Sequence, residues 1–272
     1  MDLQQFLYLA GTVVFAFACR TCQNRYLFKL GSLALLAATY LAGYFLTGSH
    51  VAGACGIALW FVLPWVEIVA RVRHMRFPLK SEVKSSFPPS RDTFPDLDTI
   101  SREVENEGFV RVDDAGWKWH EADHFMRLFY HEGKRAQASV ALAQQEGMAF
   151  SYVSVTTRIP SGVIYTTTNY PFPPTMQYSP TQRINRHFHA ESMADLLATH
   201  EDFLQSQAID LEDRLPLDTE QLPAYIERDM STQIDHNLNA GLIEVIGEGE
   251  FRYSWRGCFY LWFEIVKDMV RV

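Results

Sequence analysis

His120-Glu121-Ala122-Asp123-His124 is the stretch of this chain with the sharpest chemical content. On a helix, an H-E-x-x-H spacing turns both imidazoles to one face, where they bind zinc, and the glutamate between them activates a metal-bound water. Other titratable residues carry weaker signals. His187-Phe188-His189 sets two imidazoles on one face if that segment is a strand. His200 falls on an apolar stripe with Met193, Leu196, Leu197, Phe203 and Leu204, where a hydrogen-bonded core histidine is the simpler reading. Glu67 sits in an apolar run one turn before Arg71, a spacing that suits an ion pair near a membrane interface as well as an intramembrane site. Cys19-Arg20-Thr21-Cys22 is a lone CxxC; with Cys55 and Cys258 it outlines no disulfide framework. No glycine-rich phosphate loop, G-x-S-x-G elbow or dinucleotide fingerprint occurs.

Farther along, Glu191-Ser192-Met193-Ala194-Asp195 resembles the E-x-x-x-D helix that supplies a third ligand in many zinc metallopeptidases, and some membrane-embedded zinc endopeptidases join both motifs to transmembrane helices. The resemblance covers only these two short motifs. It implies zinc as cofactor, with His120, His124 and Glu191 as ligands and Glu121 as general base. Its flanks depart from the pattern: Asp123 stands where those families keep an uncharged residue, and the expected strands come after the motif instead of before it.

The elements that must position these residues begin with a membrane anchor. From Leu3 to Ala70 the only full charges are Arg20, Arg25, Lys29 and Glu67. Apolar runs at 3–19, 30–46 and 51–70 meet or approach the length of roughly 17 to 25 residues that a spanning helix needs, and in hydrocarbon such runs must be helical. Ala34, Ala38 and Ala42, with Ala52 and Gly56, are small residues at four-residue spacing that let helices approach closely. Tyr8, Tyr26, Tyr44 and Trp65 fall near run ends, as interfacial rings do. Ala16-Phe17-Ala18 looks like a signal-peptide cleavage site, but the start lacks a positive region, so the first run reads as an uncleaved anchor. Arg20, Arg25 and Lys29 on one side, and Arg71, Arg73, Arg76, Lys80 and Lys84 on the other, place both basic clusters inside and the Thr47-Gly48-Ser49-His50 loop outside. The expectation is an integral membrane protein of a bacterial inner membrane, N-terminus outside and C-terminal domain cytoplasmic, with residues 1–76 as anchor and membrane lipid as its first partner.

Residues 78–272 carry 18 basic and 30 acidic side chains, which argues against nucleic acid, whose binding is dominated by phosphate neutralisation. Residues 77–95, with Pro78, Pro88, Pro89 and Pro95, read as a proline-rich linker. The rest, 96–272, reads as one α+β domain with a conceivable sub-boundary at 210–218. A short helix through Leu97, Ile100 and Val104 ends near Gly108, a strand over 109–112 comes next, and Asp113-Asp114-Ala115-Gly116 reads as a turn. Strands at 125–130, 137–143, 148–158 and 163–169 have short connections, including Gln144-Gln145-Glu146-Gly147, and so form an antiparallel β-meander. Residues 170–182 form a proline-punctuated loop, and Ser192 opens a helix with Asp195 close to a capping box. A helix over 220–240 and a hairpin across Gly247-Glu248-Gly249-Glu250 resemble the last helix and wing of a winged-helix domain, but Glu220, Glu227, Asp229 and Asp235 against Arg228 do not suit a DNA-reading helix. An aromatic stretch from Phe259 to Phe263 leads a last helix to Val272.

The sequence therefore points to a membrane-tethered accessory or protein-interaction subunit without an assigned catalytic set. Tyr170, Phe172 and Tyr178 of the proline loop are its interaction residues, because aromatic side chains supply large contact area for little lost entropy. The alternatives are the zinc peptidase and, behind it, a tethered winged-helix regulator.

Overall fold

A computed structural model describes residues 2–22, 25–145, 148–247 and 249–271. Glu146, Gly147, Glu248 and Val272, which belong to the two expected hairpin turns and the expected C-terminus, lie outside them. The chain divides into two compact units: Met1–Met75 with Pro173–Thr175 and Tyr253–Val272, and Arg76–Phe172 with Met176–Arg252.

In the first unit, α1 (Leu3–Thr21), α2 (Arg25–Thr47) and α3 (His50–Ala70) are long and apolar enough to cross a membrane. Asp2 opens α1 with a capping box to Gln5, and Ser49 caps α3 by accepting from the Val51 N–H. Arg25 and Lys29, expected in a connecting loop, instead begin α2. Helix contacts are closest at glycines. A Cβ on Gly31 would lie 2.7 Å from the Ala16 carbonyl oxygen, and one on Gly43 would lie 2.7 Å from that of Ala52. Of the expected small residues, Ala52 takes part in the tight approach at Gly43, Ala38 is buried and Gly56 meets Thr39; Gly31 and Gly43 themselves are not marked by that spacing. Trp60 donates its indole N–H to the Thr39 hydroxyl at 3.1 Å, linking α3 to α2.

The second unit is built on a sheet of order β2-β3-β4-β5-β6-β7-β8. Preceding it are β1 (Phe77–Pro78), β2 (Lys84–Ser85) and α4 (Leu97–Asn106). Strands β3 (Val110–Trp119), β4 (Ala122–His131), β5 (Ala136–Gln145), β6 (Met148–Arg158) and β7 (Ile164–Thr168) follow, each antiparallel to the one before it, as a meander requires. Then β8 (Gln182–Arg186) returns parallel to β7, so the sheet is mixed. The sequence pattern does not mark that strand; the loop 169–181 is long enough to make the crossover a parallel pair needs. Next come α5 (Met193–Ser206) and α6 (Leu222–Asn239), then β9 (Ile243–Gly247), β10 (Glu250–Tyr253) and α7 (Trp255–Arg271).

Side-chain alternation along the strands makes both sheet faces apolar. Phe125, Phe129, Val140, Leu142 and Val155 pack with Leu97 and Val104 of α4 and Met193, Leu196 and Leu197 of α5. Ala115, Leu128 and Tyr130 look the other way, onto Leu217, Leu222, Tyr225 and Ile226. Gly108, at φ 87, ends α4 where a C′ glycine belongs.

Several sequence expectations need correction. Asp113-Asp114-Ala115-Gly116 is the middle of β3, not a turn; a register shift between Arg111 and Asp113 precedes it, and the hairpin turns at His120-Glu121. Residues 77–95 are no free linker: β1 pairs with β10, β2 pairs with β3, and Phe94 is buried in the core. Nor does 210–218 divide the domain, since Leu215 donates its N–H to the Arg158 carbonyl and Leu217 is buried. Finally, α7 joins the helical unit, where it packs on α3 and α2 instead of closing the second unit.

The glycine contacts have a direct test. Gly43→Ala forces its methyl group against backbone and should destabilise the full-length chain in detergent by roughly 1–3 kcal/mol. Gly11→Ala, with no atom within 4 Å of the added carbon, should be neutral or slightly stabilising. Equal unfolding curves for the two variants would remove the close α2–α3 approach.

Candidate interaction surface

Two of the three aromatic residues expected to act in the proline loop meet two that were not expected there. Phe150 and Tyr152 stand two apart on β6 and so face the same way. Phe172 meets Phe150 edge to face with ring centroids 4.8 Å apart, and Tyr170 meets Tyr152 at 4.9 Å in the same manner. Tyr170 also touches Phe150 and Phe172, each at 5.8 Å, so the four rings form one continuous cluster. Edge-to-face pairs of this kind add about 0.5–1.5 kcal/mol each beyond the area they bury. Burial raises the pKa of both tyrosine hydroxyls, which stay protonated at neutral pH. Phe172 remains 47% exposed, so the cluster has an open apolar side. Arg186 holds the loop at this point, donating to the Phe172 carbonyl at 2.6 Å.

The rest of the loop is braced from α6. Fully buried Asn237 donates to the Gln177 carbonyl at 2.9 Å and accepts from the Gln177 N–H at 3.0 Å; Gln233 accepts from the Ser179 N–H at 3.2 Å. These bonds satisfy backbone groups that no strand pairing serves. Tyr178, the third expected residue, lies on this braced stretch and is 38% exposed.

The H-E-x-x-H residues occupy a hairpin and not a helix. His120 sits in its turn at φ 57, with its ring 5.7 Å from that of Phe77, and Glu121 completes the turn. His124 lies on β4 and stacks on Trp117 of β3 at 5.1 Å and 4° between planes. With His120 in the turn and His124 on an extended strand that rises about 3.3 Å per residue, the four-residue spacing holds the two imidazoles apart instead of stacking them as a helix turn would. Glu191 is exposed just before α5, where it does not join them. Among the described residues no group of three or more His, Cys, Asp or Glu is placed to hold a metal ion. Desolvation lowers the His124 pKa against the opposing charge of Asp123. An open cleft of about 680 Å³ runs past Trp117 and His124. Along it Lys84 pairs with Glu82 at 2.7 Å and Lys118 with Asp123 at 3.3 Å, and Phe87 at its rim is 94% exposed.

Other candidate residues have structural partners. His187, expected on a strand with His189, lies just beyond β8 and bonds Asp195 at 3.0 Å, which lowers the Asp195 pKa; Ser192 caps α5 by accepting from the Asp195 N–H. Glu67 pairs with Arg71 at 3.2 Å, one turn apart and exposed. His200 is wholly buried, with Thr157 at 3.0 Å from Nε2 and Thr167 at 2.9 Å from Nδ1. A neutral imidazole donates from one nitrogen and accepts at the other, and two hydroxyls suit either arrangement.

No protein-family model, curated protein or solved structure matches the chain.

Burial holds the His200 pKa down from 6.5 to about 4, the nearby Glu201 charge only partly opposing it. Between those values the unfolded chain binds a proton that the folded chain refuses, so stability falls as pH drops through this window; above 6.5 both states are neutral and the residue contributes no slope. The loss should reach on the order of 3 kcal/mol at the acid end. His200→Gln should flatten that part of the pH–stability curve of the full-length chain. A slope unchanged by the substitution would place the titration elsewhere.

Proposed function

We propose that the protein is a membrane-tethered interaction subunit whose aromatic cluster, Phe150, Tyr152, Tyr170 and Phe172, docks another protein held in the same membrane. One observation carries the reading: four rings meet at a braced loop, and Phe172, one of them, stays 47% exposed. Aromatic anchors in a pre-ordered frame lose little entropy on binding and are the residue types enriched at interface centres. The cluster is on the same chain as three helices long and apolar enough to cross a membrane, so its partner is sought among proteins of that membrane. The same reading takes the basic residues Arg20, Arg25, Lys29, Arg71, Arg73 and Arg76 as facing the cytoplasm, with the N-terminus and the 47–50 loop outside.

A photo-crosslinking phenylalanine analogue at Phe172 should trap a protein adduct in intact cells, while the same probe at exposed Glu103 should not. Phe150→Ala with Phe172→Ala should abolish co-purification of the trapped partner while the helical content of the chain is kept. Absence of any adduct at 172 would end the docking proposal. Orientation is tested separately. In a cysteine-free background, Phe87→Cys should resist a membrane-impermeant thiol reagent until the cells are permeabilised; labelling of intact cells would reverse the topology.

A further inference from the structure

α7 sits in the helical unit although its charges set it apart from the three helices apolar enough to span a membrane. Ser254 starts it, its hydroxyl accepting from the Gly257 N–H at 3.0 Å. Gly257, Cys258, Leu261 and Glu264, at spacings of one, three and three residues, form its buried side. Trp255, Phe259 and Phe263 recur every fourth residue on another side and are 53%, 57% and 57% exposed.

The contacts of α7 track along α3 in order. Arg73, just past the end of α3, lies 4.3 Å over the Trp255 ring and donates to the Tyr253 carbonyl at 3.1 Å. Trp65 stacks on Phe259 at 4.5 Å. Trp262 then donates its indole N–H to the Phe61 carbonyl at 2.7 Å. As α7 advances, its partners recede along α3 from 73 to 61, so the two helices run antiparallel. Phe61 lies near the middle of the apolar span His50–His74. It is also next to Trp60, whose carbonyl loses its helical N–H partner to Pro64. Leu59, Leu63 and Val66 of α3 are themselves 52%, 60% and 52% exposed, which suits side chains that face acyl chains.

We propose that α7 re-enters the hydrocarbon layer beside α3 as a fourth membrane helix, and that acyl chains cover its Trp255–Phe259–Phe263 side. The length is adequate: its 17 residues reach about 26 Å at 1.5 Å per residue, against a hydrocarbon core of about 30 Å. Its charge is arranged as the bilayer demands. Glu264, 9% exposed, is paired with Lys267 one turn on, with Nζ 2.6 Å from Oε2, so the mid-helix carboxylate is neutralised by a neighbour, while Arg256 falls in the first turn of the helix and Asp268 and Arg271 in the last. The apolar rings supply the remaining surface, and Trp262 satisfies its N–H on protein. This placement depends only on α3 spanning the membrane and not on the docking surface.

The test uses the full-length chain in phosphatidylcholine–phosphatidylglycerol vesicles. Single spin labels at Trp255→Cys, Phe259→Cys and Phe263→Cys, in a cysteine-free background, should be collided with freely by oxygen. A water-soluble nickel chelate should reach them several-fold less than it reaches a label at Phe87→Cys. Depth should increase from 255 to 263. The unaltered chain in vesicles carrying a diazirine on the acyl-chain end should be labelled within the α7 peptide, which guards against a misfolded variant. Free access of the chelate along α7, or one shallow depth for all three labels, would overturn insertion; exclusion of oxygen and chelate together would mean that protein, not lipid, covers this side and would overturn it equally.

Discussion

Both faces of the central sheet are apolar, and that constraint organises the second unit. A strand set with Phe125 and Phe129 on one side and Leu128 and Tyr130 on the other needs cover above and below. α4 and α5 cover the first face, so the chain must cross to the second before α6, and residues 207–221 make that crossing. The crossing is tied down by Arg214, whose guanidinium bonds Glu201 of α5 at 2.6 Å and the Lys134 carbonyl at 3.1 Å. Burial alone raises the Glu201 pKa, but Arg214 and Lys134 outweigh it and leave the carboxyl below its ordinary value.

Buried charge in this unit pins register. Arg127 on β4 grips Asp114 on β3 with two bonds of 2.9 and 3.0 Å and reaches Ser101 of α4 at 3.0 Å. Removing one partner would strand the other in the core, which costs far more than the pair itself contributes. Since a one-residue slip of β3 would carry Asp114 to the opposite face, the pair and the apolar pattern select the same register. Arg158 at the end of β6 plays the corresponding part on the other face, holding Asp229 of α6 at 2.9 Å.

Aromatic residues meet two different fates. Phe77, Trp119 and Phe251 close on one another, with Phe77 to Phe251 at 5.4 Å and Phe77 to Trp119 at 5.8 Å, and so fasten the small sheet β1-β10-β9 to the β3–β4 hairpin. His120 is absorbed into this packing, its ring 5.7 Å from that of Phe77. Phe150, Tyr152, Tyr170 and Phe172 are equally well stacked but remain open on one side. Rings that complete a core need no partner, whereas an ordered cluster with an uncovered rim offers a surface. Tyr170 and Phe172 are readable in the sequence as surface aromatics of a proline loop. Their companions Phe150 and Tyr152 are not, because only the return of that loop across β6 brings them together.

Local pattern alone marks many of the elements. Continuous apolarity identifies α1, α2 and α3, three-and-four spacing identifies α4 and α5, and turn residues between alternating runs identify the strands of the meander. Sequence by itself thus determined the membrane-length helices, the mixture of helices and strands in the remainder of the chain, and the helical stripe that buries His200. Tertiary structure alone decided that H-E-x-x-H turns a hairpin, that prolines 78–95 run within a segment paired to both sheets, and that α7 packs with α3 in the helical unit. The physical reason is common to all three. Five letters of motif, a run of prolines and a mixed-charge amphipathic helix each suit more than one local state at similar free energy. The choice is made by distant partners: Trp117 stacked on His124, Phe251 paired with Phe77, and the Phe61 carbonyl that takes the Trp262 N–H.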